Sequence, residues 1–402
     1  MPVTLPSSVL VLGLARSGQA AAQALRERGV EVVGVDRRQG DDRDPGLLEG
    51  VGLLVKSPGV PSSHPLVREA RKQGIPVWSE VELGYRLLEG VSLVGVTGTN
   101  GKTTTVELLG EMFRAAGREV AVAGNVGRPL TGVEQAEWVV CELSSFQLED
   151  VHELRCAVAV LLNLEPDHLD RHGSFQAYRA AKLRLFARQS PEDVAVLPRD
   201  FGPVPGRARR VEFSADDPLP AEPALPGRHN RENAAAAVAA ARAAGIPEQA
   251  IAAALRSFPG VSHRLELVAE VGGVRYVNDS KATNVAAARR ALSAYGAPLH
   301  VIMGGSLKGE SFAPLASALA ESSARAVYLI GEAADELEQA LAPSGVPLRR
   351  CGDLASALRA ASRQARPGEV VLLSPACASY DQFRDFEERG EEFRRLVENL
   401  KA

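Results

Sequence analysis

The sequence predicts an α/β protein with mainly parallel sheets, divided into three domains. Apolar runs rich in Val, Ile and Leu recur along the 402 residues and alternate with segments of helical spacing. The runs are continuously apolar, which is typical of strands buried on both faces of a parallel sheet. The chain also exceeds the roughly 100–200 residues of one domain. Together these observations favour several layered α/β domains.

Most of the elements can be placed along the chain. The apolar runs that fit strands are residues 9–14, 30–36, 92–98, 137–143, 157–164, 299–305, 326–332 and 369–375. Segments 18–29 and 104–117 have helical spacing and end at glycine. An alanine-rich run, 233–245, predicts a further packed helix, since alanine is the best helix former. Residues 198–228 are rich in proline and arginine and predict loops or short strands.

Two joints divide the predicted elements into domains. One lies near residues 87–92, just before the strand at 92–98, and the other near 257–265, after the alanine-rich helix. The predicted domains are 1–90, 91–262 and 263–402. We expect the first and third to be Rossmann-like and the second to carry a phosphate-binding loop.

Composition excludes several classes of protein. The formal net charge is −4 with acids and bases mixed, so nothing favours nucleic acid or an anionic membrane. No apolar stretch reaches 18 residues and the N-terminus lacks a basic region, so we expect neither a membrane span nor a signal peptide. No C-x-x-C pair occurs, which predicts reduced, mostly buried thiols in a cytoplasmic protein, at Cys141, Cys156, Cys351 and Cys377.

The stretch VGVTGTNGKTTT, residues 94–105, predicts a phosphate-binding loop. The usual pattern G-x-x-x-x-G-K-[ST] fails at Val96, although Gly98 supplies a flexible residue within the loop. A strand precedes the loop, Lys102 can reach the β- and γ-phosphates, and Thr103 can bind Mg²⁺. The alternative is a plain glycine turn between a strand and a helix.

A second glycine-rich loop, Gly13 to Gly18, follows the first strand. It resembles G-x-G-x-x-G but has Ala15 in place of the second glycine, and Asp36 ends the next strand. A nicotinamide site, another nucleotide diphosphate site and a tight turn all remain open. The tetrapeptide SPGV, 57–60, is by itself only a turn.

Carboxylates, histidines and a lysine follow the two strands after the phosphate-binding loop. Glu142 ends one strand, where a carboxylate can bind Mg²⁺. The loop after the next strand contains Asp167, His168, Asp170 and His172. A zinc site and a solvated charged loop are the alternatives. Lys182 lies on the apolar face of the next helix, where a lysine would ordinarily extend its amine to solvent.

The C-terminal third has polar segments that follow or end apolar runs. They are SHRLE (262–266), YVNDSKATN (276–284), GGSLKGESF (304–312) and SPACASYDQFRDFEERG (374–390). Open α/β sheets bind ligands at such positions, so these segments predict a second ligand-binding edge on a separate domain.

Taken in order, these motifs resemble the Mur ligases. The motifs are GTNGKTTT, ELSSFQLE, NLEPDHLDRHGSFQAYRAAK, GRHNRENAAAA, SHRLE, NDSKATN and LLSPACASYDQF. The resemblance runs from about residue 9 to 395, and the longest motifs are the most specific. It is strongest to the members that add D-glutamate to UDP-N-acetylmuramoyl-L-alanine with ATP. It therefore implies an ATP-dependent ligase of peptidoglycan precursor synthesis that acts on small molecules, and we expect a cytoplasmic monomer.

The resemblance implies a role for each matching residue. Those that would bind ATP are Gly98, Thr99, Asn100, Gly101, Lys102, Thr103, Thr104, Asn230, Asn233, Arg264, Asp279 and Lys281. Two Mg²⁺ ions would be held by Thr103, Glu142, His168 and Lys182, the lysine carbamylated by CO₂. The catalytic set would be Lys102, His168, Lys182 and Arg264. The third domain would close over ATP before the reaction.

The two other substrates would occupy the first and third domains. The UDP-substrate contacts would come from Arg16, Ser17, Asp36, Arg37, Ser57, Gly59, Asn125 and Ser144. The D-glutamate contacts would come from Thr283, Lys308, Ser379 and Phe386. The sequence departs from the family at Arg16, often apolar, and at Leu307, often an acid. The substitution Ala15 also disfavours a nicotinamide site.

Other functions remain as alternatives. Ligases of the same architecture add L-alanine, a diamino acid or folate-type glutamate. The diamino-acid type should show a D-N-P motif where this chain has NDSKATN, and the folate type should lack the first domain. A non-catalytic nucleotide-binding regulator would have no need of Glu142, His168 and Lys182 together. A dehydrogenase would carry a bound nicotinamide.

Overall fold

A computed structural model describes residues 4–37, 40–225, 227–307 and 309–400, apart from the side chain of Asp170. Within these ranges the strands are β1 (Ser8–Leu12), β2 (Glu31–Val35), β3 (Leu53–Lys56), β4 (Val77–Ser79), β5 (Ser92–Thr97), β6 (Val120–Gly124), β7 (Trp138–Glu142), β8 (Val158–Leu161), β9 (Val194–Pro198), β10 (Arg209–Phe213), β11 (Glu266–Val271), β12 (Val274–Asn278), β13 (Leu299–Gly304), β14 (Ala324–Ile330), β15 (Leu348–Gly352) and β16 (Val370–Leu373).

The helices in the same ranges are α1 (Arg16–Arg26), α2 (Pro65–Lys72), α3 (Glu80–Leu87), α4 (Lys102–Ala115), α5 (Ser145–Leu148), α6 (Leu169–His172), α7 (Phe175–Leu183), α8 (Arg228–Ala243), α9 (Glu248–Ser257), α10 (Val285–Ser293), α11 (Ala313–Glu321), α12 (Ala334–Leu341), α13 (Leu354–Gln364) and α14 (Phe386–Glu398). Short 3₁₀ turns occupy Pro45–Leu48, Leu130–Gly132, Arg184–Phe186 and Ala342–Ser344. In the part of the chain that the structure describes, no helix has the length and apolarity to cross a membrane.

The strands form three sheets, as the alternation of elements predicts. Their orders are β2-β1-β3-β4, β10-β9-β8-β5-β7-β6 and β11-β12-β16-β13-β14-β15. The pairings in the first two sheets are parallel, and in the third only β11 pairs antiparallel to its neighbour. The α/β fold class with mainly parallel sheets is therefore confirmed. Parallel pairing brings the carboxyl ends of the strands to one edge of each sheet.

The eight predicted strands and the three predicted helices are all present. One part of the prediction is wrong, because β2 is not buried on both faces and only Val35 of its five residues is buried. β2 is an edge strand of the four-stranded sheet, so one side of it has no neighbouring strand. The region 198–228 contains the short strand β10, as expected. The four cysteines are free, and three of them are buried.

The chain divides into two compact units, Met1–Phe258 and Pro259–Ala402. The first two sheets belong to the first unit and the third sheet to the second. The predicted boundary near residue 90 therefore separates two sheets within one unit. In the first unit, α4 packs against α8 and α9.

Two buried carboxylates of α3 help to join the first two sheets. Glu82 is fully buried and accepts hydrogen bonds from the backbone N–H groups of residues 152–154 at 2.9, 2.9 and 3.1 Å. Glu80 accepts from the backbone N–H and the hydroxyl of Thr131 at 2.7 and 2.8 Å, and burial raises its pKa. Since the segments that donate these hydrogen bonds lie next to the second sheet, α3 fixes the two sheets to each other.

Replacing Glu82 by glutamine should destabilise the first unit. The amide nitrogen of the variant would face buried backbone N–H donors, and each donor left unpaired costs about 1–3 kcal/mol. We expect the free energy of unfolding from urea denaturation to fall by about that amount. The control is Glu111→Gln, because Glu111 is half-exposed and pairs with Arg114 one turn away on α4. Equal, small losses in the two variants would contradict this role for Glu82.

Candidate nucleotide and metal site

The predicted phosphate-binding loop joins β5 to α4 in the middle of the second sheet. β5 ends at Thr97 and α4 begins at Lys102, so the loop is only four residues long. Gly98 has φ 156° and Gly101 has φ 83°, in the region that favours glycine. The first backbone N–H groups of α4 face the loop and provide the positive end of the helix dipole. A strand, a short glycine loop and a helix N-terminus can therefore bind a phosphate group.

Helix α8 closes one side of the loop at Gly101. A Cβ atom built on Gly101 would lie 2.1 Å from Oδ1 of Asn233, so a side chain here would displace Asn233 and would also strain the left-handed backbone. Asn233 is buried, and Asn230 precedes it by three residues on the same helix. The structure thus brings both predicted ATP-contacting asparagines to the helix that packs beside the loop.

Lys182 lies beneath the loop and is 2% exposed, so the ordinary expectation that it extends to solvent is wrong. Its Nζ donates to the carbonyl oxygen of Gly98 at 2.7 Å, and Nζ of Lys102 donates to the same oxygen at 3.0 Å. Burial, reinforced by the charge of Lys102, lowers the pKa of Lys182 to about 7, and Asp167 and Glu142 offset this only in part. A substantial fraction of neutral amine is therefore present at neutral pH.

Residues from the loop after β8 and from α7 fix the other side of the phosphate-binding loop. Asn163 accepts from the backbone N–H of Asn100 at 2.8 Å, and Glu165 accepts from its side-chain amide at 3.0 Å. The hydroxyl of Thr99 lies 2.9 Å from the buried hydroxyl of Tyr178. Burial raises the pKa of Tyr178 to about 12, so this hydroxyl stays protonated. The conformation of the phosphate-binding loop is therefore fixed by side chains from the loop after β8 and from α7.

Glu142 lies at the carboxyl end of β7, next to β5, and is 3% exposed. Its Oε1 accepts from Nδ2 of Asn125 at 3.0 Å, while its Oε2 is buried and has no hydrogen-bond partner among the described residues. A buried carboxylate oxygen with spare acceptor capacity suits a hard cation such as Mg²⁺. Thr103, also buried, is the second residue of α4. The residues present therefore fit a magnesium ion that a nucleotide would help to hold.

His168 lies in the loop before α6 with a left-handed backbone conformation, φ 51°. Its side chain is about half-exposed, and its ring packs 4.8 Å from that of Phe146. Across the described residues, no group of three His, Cys, Asp or Glu side chains is arranged to hold a metal.

Six of the eight predicted UDP-substrate residues follow the carboxyl ends of strands in the first sheet, and Asn125 and Ser144 follow strands of the second. The hydroxyl of Ser57 donates to the carbonyl oxygen of Gly13 at 2.6 Å, and Asp36 accepts from the backbone N–H of Leu14 at 3.0 Å. The side chains of Arg16 and Arg37 are exposed. Ser17 directly follows Arg16, and Gly59 lies two residues after Ser57. Ser144, in the second sheet's region, caps α5 in a capping box with Gln147.

In the second unit, Asp279 is buried at the end of β12, and its Oδ2 accepts from the hydroxyl of Ser374 at 3.0 Å. Burial raises the pKa of Asp279 to about 7, although Ser374 and Arg264 act in the opposite direction. The segment before β11 has left-handed conformations at His263, φ 62°, and Leu265, φ 45°. Leu265 N–H donates to Asp279 at 3.2 Å, which fixes the backbone directly after Arg264.

The predicted D-glutamate residues also lie in the second unit. Nζ of Lys281 lies 5.6 Å from the ring centroid of Phe386, which begins α14. Ser379 is buried in the loop after β16, and Thr283 follows β12. Lys308 lies outside the described residues. The roles of these residues stay predictions, since no contact with a substrate is part of the structure.

Three residues that sequence reasoning missed are part of these sites. Tyr178 and Asn163 hold the phosphate-binding loop, and Arg389 donates to the carbonyl oxygens of Ser280, Cys377 and Ala378 at 2.9, 3.1 and 3.1 Å. Tyr178 could have been found, because it precedes Lys182 by four residues and therefore shares its helix face. Asn163 carried no comparable signal.

Comparisons with known proteins agree with this arrangement. Residues 96–204 match the Mur ligase middle domain, and residues 263–377 match the domain described as Mur ligase, glutamate ligase domain. A UDP-N-acetylmuramoylalanine–D-glutamate ligase from Anaeromyxobacter dehalogenans is 45% identical over 97% of both chains. The protein of the same name from Acidobacterium capsulatum is 42% identical over 97% of this chain and 95% of its own.

The fold is also shared with solved structures. The MurF ligase from Thermotoga maritima in complex with ADP superposes with a TM-score of 0.62 at 17% identity, covering 98% of this chain and 96% of that one. The three sheets, the loop before α4 and these matches define a nucleotide-dependent ligase of three-domain α/β architecture. More particularly, the chain belongs to the Mur ligase family.

A Gly101→Ala variant should lose nucleotide binding more than it loses stability. The left-handed backbone costs alanine about 1–2 kcal/mol, and the new Cβ would also collide with Asn233. We expect the affinity for Mg²⁺·ADP, measured by calorimetry, to fall by at least about tenfold. The control is Gly117→Ala, which has φ 71° and open space around the new Cβ. If both variants bind ADP like the wild type, the loop is not the nucleotide site.

Proposed function

We propose that this chain is an ATP-dependent ligase that joins D-glutamate to UDP-N-acetylmuramoyl-L-alanine in peptidoglycan precursor synthesis. The reaction class is supported above all by one observation, the buried Lys182 whose Nζ lies 2.7 Å from the carbonyl oxygen of Gly98 in the phosphate-binding loop. The substrates are supported by the printed names of relatives that are 45% and 42% identical over nearly the whole chain.

The proposed reaction has two steps. The alanyl carboxylate of the substrate attacks the γ-phosphorus of ATP, which gives an acyl phosphate and ADP. The amine of D-glutamate then attacks the acyl carbon, an amide bond forms, inorganic phosphate leaves and the amine loses a proton. A carboxylate is a poor electrophile, and the acyl phosphate provides a good leaving group. Lys102 and the N-terminus of α4 stabilise the charge that develops on the transferred phosphoryl group.

The protein would hold two Mg²⁺ ions through its own oxygen donors. Thr103 and Glu142 suit one ion, and His168 with a carbamylated Lys182 suits the second. When bound, Mg²⁺ neutralises phosphate charge and orients the transferred group. Because part of the Lys182 amine is neutral near pH 7, it can attack CO₂, lose one proton and become a carbamate. That modification replaces a buried cation with an anion whose oxygens can bind metal.

The remaining roles are carried over from the family resemblance. Thr99, Asn100, Thr104, Asn230 and Asn233 would complete the ATP site in the first unit. Arg264, Asp279 and Lys281 would contact ATP from the second unit after closure, and Thr283, Lys308, Ser379 and Phe386 would bind D-glutamate. The expectations of a monomer and of a cytoplasmic location also stay predictions.

The first test is phosphate release with ATP, Mg²⁺ and UDP-N-acetylmuramoyl-L-alanine across a panel of D- and L-amino acids. We expect release with D-glutamate, and a loss of at least about 10²-fold in Lys102→Met because a charge at the transferred phosphate is removed. Release with another amino acid would retain the ligase reaction and reject the D-glutamate assignment. No release with any amino acid would favour a nucleotide-binding regulator.

Carbamylation of Lys182 should be visible directly. In ¹³C-bicarbonate the wild type should show a carbamate ¹³C resonance that grows as the pH rises through about 7, the pKa of the amine. Lys182→Met should lack the resonance and the activity. Lys72→Met should keep both, because the Lys72 side chain is 79% exposed. A wild type with full activity and no resonance would exclude the carbamate.

The same lysine should affect stability in a pH-dependent way. Its folded-state pKa of about 7 lies below the ordinary value of 10.5, so between these values the unfolded chain binds more protons and stability rises with pH. Without CO₂, Lys182→Met should therefore gain most over the wild type below about pH 7, with the difference narrowing at higher pH. Urea denaturation at several pH values measures this, and a constant difference would contradict it.

A further inference from the structure

A buried ionic network lies between the first two sheets, apart from the nucleotide site. Nζ of Lys56, at the end of β3, is 3.0 Å from Oε2 of Glu149 and 3.0 Å from Oδ2 of Asp150. The Lys56 side chain is completely buried, and Ser62 donates to the same Glu149 oxygen at 2.8 Å. A buried charge that loses its partner is strongly destabilising, so these groups hold β3 against the segment that follows α5.

Arg171 adds a second connection to this network. Its Nη2 donates to the carbonyl oxygens of Val60 at 2.8 Å and Pro58 at 3.2 Å, and its Nη1 donates to that of Gly59 at 3.4 Å. The same Nη2 lies 3.4 Å from Oε2 of Glu149. Three successive carbonyl oxygens of the 57–60 loop are thus held by one guanidinium group, whose planar fork fixes their arrangement.

Arg171 lies beside the proposed metal site, whereas the 57–60 loop to which it donates lies in the proposed UDP-substrate site. It lies on α6, three residues after His168, and its guanidinium packs 4.5 Å above the ring of Phe146, which also contacts His168. The 57–60 loop follows β3 and contains Ser57 and Gly59. A movement of either segment would therefore break hydrogen bonds to the other.

We propose that Arg171 is a positioning residue that couples binding of the UDP-sugar substrate at the 57–60 loop to binding of Mg²⁺·nucleotide beside His168. The inference rests on the proposed function, because it takes these two ligands from it. Each ligand would restrict the motion of the segment that it contacts, either the 57–60 loop or the segment that contains His168. Because the hydrogen bonds of Arg171 join these two segments, restricting one also restricts the other. Each ligand should then raise the affinity for the other by the same factor, as linkage requires.

The experiment measures this coupling in the full chain. Calorimetry gives the dissociation constant of UDP-N-acetylmuramoyl-L-alanine with and without Mg²⁺ and a non-hydrolysable ATP analogue. For the wild type we expect a ratio of about 5 to 150, the usual range of coupling between sites. In Arg171→Met the ratio should fall toward one, by about 2-fold or more and by at most about 30-fold when the wild-type ratio is large, the range by which mutations change coupling between sites.

Two further variants separate positioning from stability. Arg171→Lys keeps the positive charge but loses the planar guanidinium that holds several carbonyl oxygens, so its affinity ratio should also fall. This variant replaces Arg171→Met in the test if the methionine variant does not fold. Arg188→Met is the matched control, because Arg188 donates to His152 and Glu153 at the exposed surface of the same unit. Its ratio should equal that of the wild type. A merely structural role of Arg171 would lower the melting temperature and leave the ratio unchanged.

The outcomes distinguish failure of this inference from failure of the proposed function. A wild type that binds both ligands and releases phosphate, with a ratio of one, would overturn the coupling and leave the ligase assignment standing. An unchanged ratio in both Arg171 variants would do the same. A wild type that does not bind the UDP-sugar at all would reject the proposed function, and the coupling with it.

Discussion

Two lysine side chains meet at one carbonyl oxygen, and much of the first unit is arranged around that contact. Nζ of Lys182 and Nζ of Lys102 lie 2.7 and 3.0 Å from the oxygen of Gly98. Two cations this close repel each other, and burial makes the repulsion stronger because water screens it less. Burial, together with this repulsion as a smaller contribution, lowers the pKa of the Lys182 amine to about 7. An anion bound at the loop would relieve the repulsion, which prepares the site for phosphate.

That contact requires the parallel order of the second sheet. β5 lies between β7 and β8, so the loop after β5 faces Glu142 at the end of β7 and Asn163 just beyond the end of β8. An antiparallel neighbour would have placed its amino end there and removed one of these side chains. The order and the direction of the strands therefore determine which polar groups reach the phosphate-binding loop. Lys182 reaches the same loop from helix α7.

The apolar runs predicted eight of the sixteen described strands, and several others, including the buried β3 and β9, were not assigned. The hairpin of β11 and β12 was also missed, because β11 is mostly exposed or half-buried and both strands carry charged residues, so no long apolar run marks it. The joining of the first two sheets was also missed. It depends on buried carboxylates such as Glu82, whose backbone partners lie 70 to 72 residues away, a separation that local patterns do not encode. The burial of Lys182 was not predictable for the same reason, since its hydrogen-bond partner Gly98 lies 84 residues away in the sequence.

Several residues that the family resemblance assigns to ligands already have structural partners. Asp36 accepts from the backbone of its neighbouring loop, Asn125 donates to Glu142, and the Ser144 hydroxyl caps α5. A carboxylate has room for further hydrogen bonds, so Asp36 can hold its loop and accept a ligand hydroxyl together. The side-chain amide of Asn125 likewise has a second N–H, which can donate a hydrogen bond to a ligand while the first donates to Glu142. These internal bonds fix the side-chain directions before a ligand arrives, which lowers the entropy lost on binding. In this protein the groups proposed to recognise substrates are therefore also the ones that order the loops around them.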